Sequence, residues 1–407
     1  MKILHTADWH LGKKLEYFSR FEEQVAVLDE ICHIAASEAV DVVVIAGDIF
    51  DNFNPSTEAT ALLYKTLKRL CDNGNRLVIG IAGNHDSPDR IDLPDSLAKE
   101  LGIFFIGYPN AIIEPITIDS GIQLTKSDNG FIEFKLPKFD YPLRCLVTPF
   151  PNEIRLKTFL GDDKKEIELN NWLQQHWQHL ADAYCDSKGC NIAIAHLFMQ
   201  TKYGDQQSEP EGERSIIVGT ASIIPTSCIP KQIQYTALGH LHNFQNIHTK
   251  EQPIVYSSSP LAYSFAEAGQ EKKVVIVTLA PNQAPTYTTR SLQSGRKLYR
   301  KKFDTIDEAI EWLTNHQNIL VELSIVTDTY LSNQSLKALY AANDGIIHII
   351  PIMETIAKSN DIAASQNVLD NSIEAYFKQY FLSEKNTLPN DDLLLLFKEI
   401  LNEPLDK

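Results

Sequence analysis

The sequence predicts an α/β protein built on a two-sheet β-sandwich flanked by helices, with a small α+β unit and terminal helices after it. Three observations lead there. Short apolar runs, Ile3-Leu4, Val42 to Ala46, Leu77 to Ala82 and Ile192 to Ala195, alternate with stretches of helical periodicity. A block of polar, chemistry-bearing residues follows each run directly, as it does where parallel strands deliver loops to the carboxyl edge of a sheet. From about Ser294 the pattern changes to a compact β-α-β-α-β succession without such blocks.

The elements follow in order. Residues 20 to 38 carry Val25, Leu28, Ile31, Ile34 and Ala35 at helical spacing, and Thr57 to Leu70 repeats the pattern with Leu62, Leu63, Leu67 and Leu70. Between 103 and 148 the runs Ile103 to Ile106, Ile112-Ile113, Ile116 to Ile118, Phe131 to Phe134 and Leu143 to Val147 are punctuated by Gly and Pro, which predicts antiparallel strands and hence a mixed sheet. Residues 161 to 190 read as a helix, on which His176 and His179 share a solvated face at i and i+3. The polar stretch 200 to 232 is long for a connection inside a domain, so it is expected to border a cleft. Val274 to Leu279 reads as a strand, Ala280 to Pro285 as a turn, and a last strand lies near Tyr287.

Beyond it, Leu298 to Phe303, Ile306 to Leu313, Ile319 to Val326, Leu331 to Ala342 and Ile346 to Ile352 form the small unit. Two helices are expected over 369 to 402, the second capped by Asn390 or Asp391 with Leu393, Leu396, Phe397, Ile400 and Leu401 on one apolar face. Domains are therefore expected at 1–292, 293–368 and 369–407.

Length and composition narrow the class. A chain of 407 residues exceeds what one hydrophobic core usually serves, and 43% hydrophobic content supports full-sized cores. No apolar stretch approaches the roughly 20 residues of a membrane span, and the start Met-Lys-Ile-Leu-His-Thr-Ala-Asp reaches charge too early for a signal peptide, so no membrane association and a cytoplasmic location are expected. The six cysteines are scattered without a C-x-x-C pair and read as reduced thiols. The net charge of -16 opposes a polyanionic ligand, which would need local cationic features. Lys13-Lys14, directly after the first polar block, are the best placed of these.

Five blocks carry the chemistry: Asp8-Trp9-His10, Gly47-Asp48-Ile49-Phe50-Asp51, Gly83-Asn84-His85-Asp86, the isolated His196, and Gly239-His240-Leu241-His242. Aspartates bring anionic oxygen to divalent cations, histidines bring imidazole nitrogen, and Asn84 adds a carbonyl oxygen. This mixed set suits Mn, Fe or Zn, and the absence of cysteine disfavours a structural zinc cage. Each piece alone is weak, since a lone His196 after an apolar run is more often an ordinary core residue. The ordered set points to two adjacent metal ions.

The order D-x-H, GD-x-x-D, GNH-D, lone His and GH-x-H resembles the calcineurin-like metallophosphoesterases. The start Met-Lys-Ile-Leu-His-Thr-Ala-Asp-Trp-His-Leu-Gly, the stretch Ala237 to His242, and Tyr256-Ser257-Ser258-Ser259-Pro260 with Ser264-Phe265 resemble the branch whose members are DNA-end-processing nucleases acting beside an SbcC-type ATPase. Ser258 departs from that branch, which carries glycine there, so a slightly altered turn is expected. The resemblance implies one metal held by Asp8, His10 and His242 and the other by Asn84, His196 and His240, with Asp48 bridging and manganese the expected ion.

It further implies His85 as the acid for the departing oxygen, and Asp51 as the residue holding His85 in its tautomer, with loop capping the open alternative for Asp51. The small unit would cap DNA. Leu393, Leu396, Phe397 and Ile400 would dock the ATPase, and a homodimer within a heterotetramer would use Thr57 to Leu70, unless that stripe is core. The implied activity is double-strand exonuclease and single-strand endonuclease cleavage by two-metal phosphodiester hydrolysis. A small-molecule phosphodiesterase or phosphatase would carry the same five blocks, and a non-enzymatic scaffold would be expected to have lost some of them.

Overall fold

The computed structural model describes residues 1–92, 95–156, 165–201, 223–327 and 331–353, and beyond these only 377, 378, 381, 387–390, 393, 394, 396 and 397. The chain divides into two compact units, Met1–Lys297 and Leu298–Lys407. Residues 293–297, expected beyond the first domain, are tied to its first helix: Glu30 accepts from the Gln293 and Ser294 amides at 2.9 and 2.8 Å, and Glu23 accepts from the Arg296 amide at 2.6 Å.

The first unit is a sandwich of two sheets. In one, β1 (Lys2–Thr6), β2 (Val42–Ile45), β3 (Leu77–Ile81) and β4 (Ile103–Ile106) run parallel side by side. The other contains β5 (Ile116–Thr117), β6 (Gln123–Asp128), β7 (Phe131–Lys135), β8 (Leu143–Thr148), β9 (Cys190–His196), β10 (Tyr235–Gly239), β11 (Gln245–Asn246) and β12 (Ile254–Tyr256). Its order is β11-β12-β10-β9-β8-β7-β6-β5, with β8, β9, β10 and β12 parallel. β13 (Lys273–Thr278) and β14 (Thr286–Ser291) return antiparallel to complete the first sheet beside β1.

Alternation within each strand builds the layers. Ile3, Val42, Val44, Leu77 and Ile79 point into the shared core with Ile132, Phe134, Cys145, Ile192 and Ile194, whereas Leu4, Val43, Ile45 and Val78 face outward. That outer face is covered by α1 (Phe21–Ser37) and α2 (Thr57–Leu70) through Leu28, Ile31, Leu63 and Leu67. α3 (Lys165–Tyr184) covers the second sheet with Leu173, Trp177 and Leu180 against Leu146 and Ala193. Burial on both faces explains why the parallel strands read as unbroken apolar runs.

Three expectations change. Ile103–Ile106 pairs parallel with β3 and belongs to the first sheet, because it follows short helices that cross back over that sheet, as parallel pairing requires. Ile112-Ile113 forms no strand, and Ile112 is exposed. The leucine stripe of α2 is core: Leu62, Leu63, Leu67 and Leu70 are all buried within the unit, so it does not supply a dimer face. On α3, His176 is half-buried, stacked on Trp172 and bonded to the Asn129 carbonyl at 2.9 Å, while His179 is exposed.

In the second unit, β15 (Lys297–Phe303), β16 (Ile319–Thr327) and β17 (Ile346–Met353) form a three-stranded sheet with α4 (Ile306–Asn315) and α5 (Asn333–Ala342). Leu313, Val321, Leu323, Ile325 and Leu339 fill its core. Most of the 200–232 connection and of the expected 369–402 helices, Ile400 included, lies outside the described residues. Among the described residues no helix is long and apolar enough to cross a membrane.

Candidate metal centre

Every block sits at the carboxyl end of a parallel strand. β1 leads to Asp8 and His10, β2 to Asp48 and Asp51, β3 to Asn84 and His85, β9 ends on His196, and β10 leads to His240 and His242. The loops after β1 and β2 extend the strand ladder, with the Asp8 amide donating to Gly47 O, and the His10 amide to Asp48 O, each at 3.0 Å. Register places His196 beside Gly239. The two sheets meet where His196 Nδ1 lies 2.9 Å from the Ala46 carbonyl.

The ligand-bearing backbone is unusual. Asp8, His10, Asp48 and His240 all have positive φ, at 56°, 44°, 49° and 101°. Conformations of this kind cost of order 1–3 kcal/mol each and persist only where surrounding contacts over-determine them. Gly47 (φ 94°) and Gly83 are held to glycine by space: a Cβ would come within 2.3 Å of His196 Nδ1 and 2.1 Å of Asp48 Oδ1, respectively.

Asp8, His10, Asp48, His196, His240 and His242 are all buried. His10 Nε2 lies 3.0 Å from His242 Nε2, and Asn84 Oδ1 lies 2.9 Å from His196 Nε2. Asp48 Oδ2 lies 3.6 Å from His10 Nε2 and 3.4 Å from His196 Nε2. The His240 ring packs edge-on against His196 at 5.4 Å, and its amide donates to Asp8 Oδ1 at 2.9 Å. Three side chains at a time, Asp8 with His10 and His242, and Asp8 with Asp48 and His196, bring potential ligand atoms close enough to share an ion.

The electrostatics suit a cation. Burial pushes the Asp8 carboxyl up to about 7, with the Asp48 charge adding to it against the opposing pull of His196. Burial works against charge on His196 too, yet Asp48 and Asp8 outweigh it and raise the ring to about 9. Asp8 Oδ2 and His10 Nδ1 are buried and have no hydrogen-bond partner. Unpaired buried polar atoms cost roughly 1–3 kcal/mol, and coordination by a divalent ion would satisfy Asp8 Oδ2. The set of carboxylate, imidazole and amide oxygen therefore fits metal ions chemically.

His85 stands beside the cluster, its ring edge-on to His10 at 4.8 Å and its amide donating to Asp48 Oδ1 at 2.8 Å. Its Nδ1 is 2.8 Å from the Asp51 backbone carbonyl. Asp51 thus meets His85 through its peptide oxygen. The carboxylate instead lies 3.8 Å from His10 Nδ1 and 3.5 Å from Lys13 Nζ. Lys13 is mostly shielded, while Lys14 is exposed. Among the residues expected to dock a partner, Leu396 is exposed and Leu393 and Phe397 are half-buried.

Several supporting residues had no role from sequence. Asp86 is buried and accepts amides from Ile49, Phe50 and Gly83 at 3.0, 2.8 and 2.9 Å, clamping the loops after β2 and β3 together. Arg155 is buried and donates to Gly83 O and Asp86 O, both at 2.7 Å. Gln24 donates to His10 O at 2.8 Å and accepts from the Gly12 amide at 3.0 Å. A polar residue on the inward face of α1 was the legible signal for Gln24, and Asp86 lay inside a recognised block. Ser258 is buried with φ 83°, and its hydroxyl accepts from the Lys273 amide at 2.9 Å.

Comparison with known proteins adds three findings. A sequence model of the family described as calcineurin-like phosphoesterase matches residues 1–244. The SbcD component of nuclease SbcCD from Bacillus subtilis (strain 168) is 36% identical over 410 residues, covering 98% of this chain and 97% of that protein. SbcD proteins are 31% identical in Rhodobacter capsulatus, over 70% of this chain and 68% of theirs, and 26% identical in Escherichia coli K12, over 95% and 94%.

Proposed function

The chain belongs to the calcineurin-like phosphoesterase family, in the branch of the SbcD nucleases, and from that premise we propose that it cleaves DNA by two-metal phosphodiester hydrolysis. The reading rests above all on Asp48, whose Oδ2 lies within 3.6 Å of His10 Nε2 and 3.4 Å of His196 Nε2, between the two ligand groups. Asp8, His10 and His242 would hold one ion, Asn84, His196 and His240 the other, and Asp48 would bridge them. When bound, such ions act as Lewis acids on phosphate oxygens and lower the pKa of water. Manganese fits a site of nitrogen and oxygen donors without thiolate.

The chain's own residues do the rest. His85 donates its Nδ1 proton to the Asp51 carbonyl, so it is as the imidazolium, protonated on both nitrogens, that Nε2 carries the proton the departing sugar oxygen takes. Lys13, 3.5 Å from Asp51 Oδ1, brings positive charge to the cleft of a chain whose net charge is -16. Duplex DNA is the proposed substrate and an SbcC-type ATPase the proposed partner. Exonuclease and endonuclease action, assembly as a homodimer within a heterotetramer, a cytoplasmic location, a DNA-capping role for the second unit and docking through Leu393, Leu396, Phe397 and Ile400 belong to the same reading.

The test compares Asp48→Ala with His85→Ala on folded protein. Both should lose manganese-dependent cleavage of duplex DNA, His85→Ala by about 10²- to 10⁴-fold, the range of general acid catalysis. Only Asp48→Ala should lose bound metal on elemental analysis. Equal metal loss in the two variants would remove His85 from its role. A wild-type protein that hydrolyses a small phosphodiester but no DNA would overturn the nuclease reading.

A further inference from the structure

Residues 257–272 lie outside the 1–244 span matched by the family, yet they wall one half of the metal centre. Tyr263 packs its ring against His10 and His242, at centroid distances of 5.5 and 6.1 Å, and its hydroxyl donates to the Trp9 carbonyl. Gln24 links the same hydroxyl to the His10 carbonyl, at 3.3 and 2.8 Å. Behind His242 sits Glu267, 2% exposed, with Oε1 at 3.3 Å from His242 Nδ1.

The same oxygen accepts the Tyr263 and Ser264 amides at 3.0 and 3.1 Å, which fixes the carboxylate in place. Oε2 is paired with the Lys272 ammonium, also buried, which also donates to the His242 carbonyl at 2.8 Å, Ser259 Oγ at 3.0 Å and Gln270 Oε1 at 3.3 Å. Two charges are thus taken out of water behind one histidine. A buried pair of this kind is weak evidence for stability, since desolvation offsets most of the attraction. An apolar pair would fill the space as well, so the pair asks for another explanation.

We infer that Glu267, neutralised by Lys272, is the positioning carboxylate of His242: it accepts the Nδ1 proton, holds the ring orientation, and leaves Nε2 as the lone-pair donor of the Asp8–His10–His242 site. Carboxylate-histidine-metal arrangements fix tautomer and raise ligand basicity. The arrangement is one-sided. Its counterpart on His196 is the neutral Ala46 carbonyl at 2.9 Å from Nδ1. The support behind His242 therefore differs from that behind His196, and the 257–272 segment supplies the first of the two.

The inference rests on the metal reading above, and its test separates the two. Manganese titrations of wild-type protein and Glu267→Gln are followed by calorimetry, with melting of the metal-free proteins recorded alongside. Glutamine keeps the oxygen that accepts the two amides but loses the anionic charge. One manganese should bind as in wild type and the other about 10- to 100-fold more weakly, the range seen when such partners are removed. A wild-type protein that binds no manganese would sink the metal reading itself. Two unchanged affinities in Glu267→Gln, or an equal loss at both, would overturn only the positioning role. Should Glu267→Gln leave Lys272 too poorly paired to fold, the double variant Glu267→Gln/Lys272→Met removes that charge and must show the same selective weakening, and two tight sites in it would overturn the inference.

Discussion

Lys13 and Lys14 are adjacent in sequence and opposite in environment. The Lys13 ammonium lies 3.5 Å from Asp51 Oδ1 and 5.7 Å from the Tyr263 ring centre, inside the rim of the metal centre, whereas Lys14 stands exposed on a short hairpin strand. A shielded ammonium beside the reacting groups acts on any phosphodiester, while an exposed one acts only on a substrate long enough to reach it. Lys14→Ala should therefore weaken duplex binding and reduce the salt slope of log K by about 1 while hydrolysis of a small phosphodiester stays unchanged. Lys13→Ala should lower both. Normal small-substrate hydrolysis by Lys13→Ala would return it to the class of general DNA contacts.

At the scale of elements, a cross-strand ion pair remote from the site braces β7 and β8, the latter lying beside the site-bearing β9. Glu133 of β7 faces Arg144 of β8 in register and is bonded to its Nε at 2.8 Å, and Arg144 also reaches Asp186 at 2.5 Å. Burial alone would raise the Glu133 carboxyl, but its bonds from Arg144 and Thr125 outweigh that and hold it below the usual range. A carboxyl depressed in the folded state contributes stability that is present above the unfolded value of about 4.3 and lost as pH falls through the folded value. Glu133→Gln should cost about 1–3 kcal/mol in urea unfolding at pH 7. The difference from wild type should shrink as pH drops below about 4. A constant difference down to acid pH would show that the pair acts through packing instead of charge.

At the scale of the molecule, a net charge of -16 opposes the proposed polyanionic substrate, so duplex affinity would rest on few cations and on the proposed partner. All six cysteines are buried and free, which agrees with their reading as reduced thiols. Leu388 and Leu396 are exposed near the C-terminus. Deleting residues 386–407 should leave thermal stability and metal-dependent nuclease activity intact and abolish co-purification with an SbcC-type ATPase. Retained co-purification, or a much earlier melt, would make this segment structural.

Chemistry was legible in the sequence because it is local. Each ligand block follows its own apolar run, so Asp8, His10, Asp48, Asn84, His85, His196, His240 and His242 could be named before any fold was seen, as could the β-α-β-α-β order of the second unit. Only the tertiary structure decided pairing and surroundings. Ile103–Ile106 has the same apolar pattern whether its neighbour runs parallel or antiparallel, because a strand's own periodicity says nothing about its partner. The Asp51 contact to His85 runs through a peptide oxygen that every residue possesses, and the leucines of α2 give the same stripe to a core as to an interface. Nothing in the sequence ties Glu267 and Lys272 to His242, since 25 residues separate Glu267 from His242 and the Ser264-x-x-Glu267 pattern reads only as a local capping box.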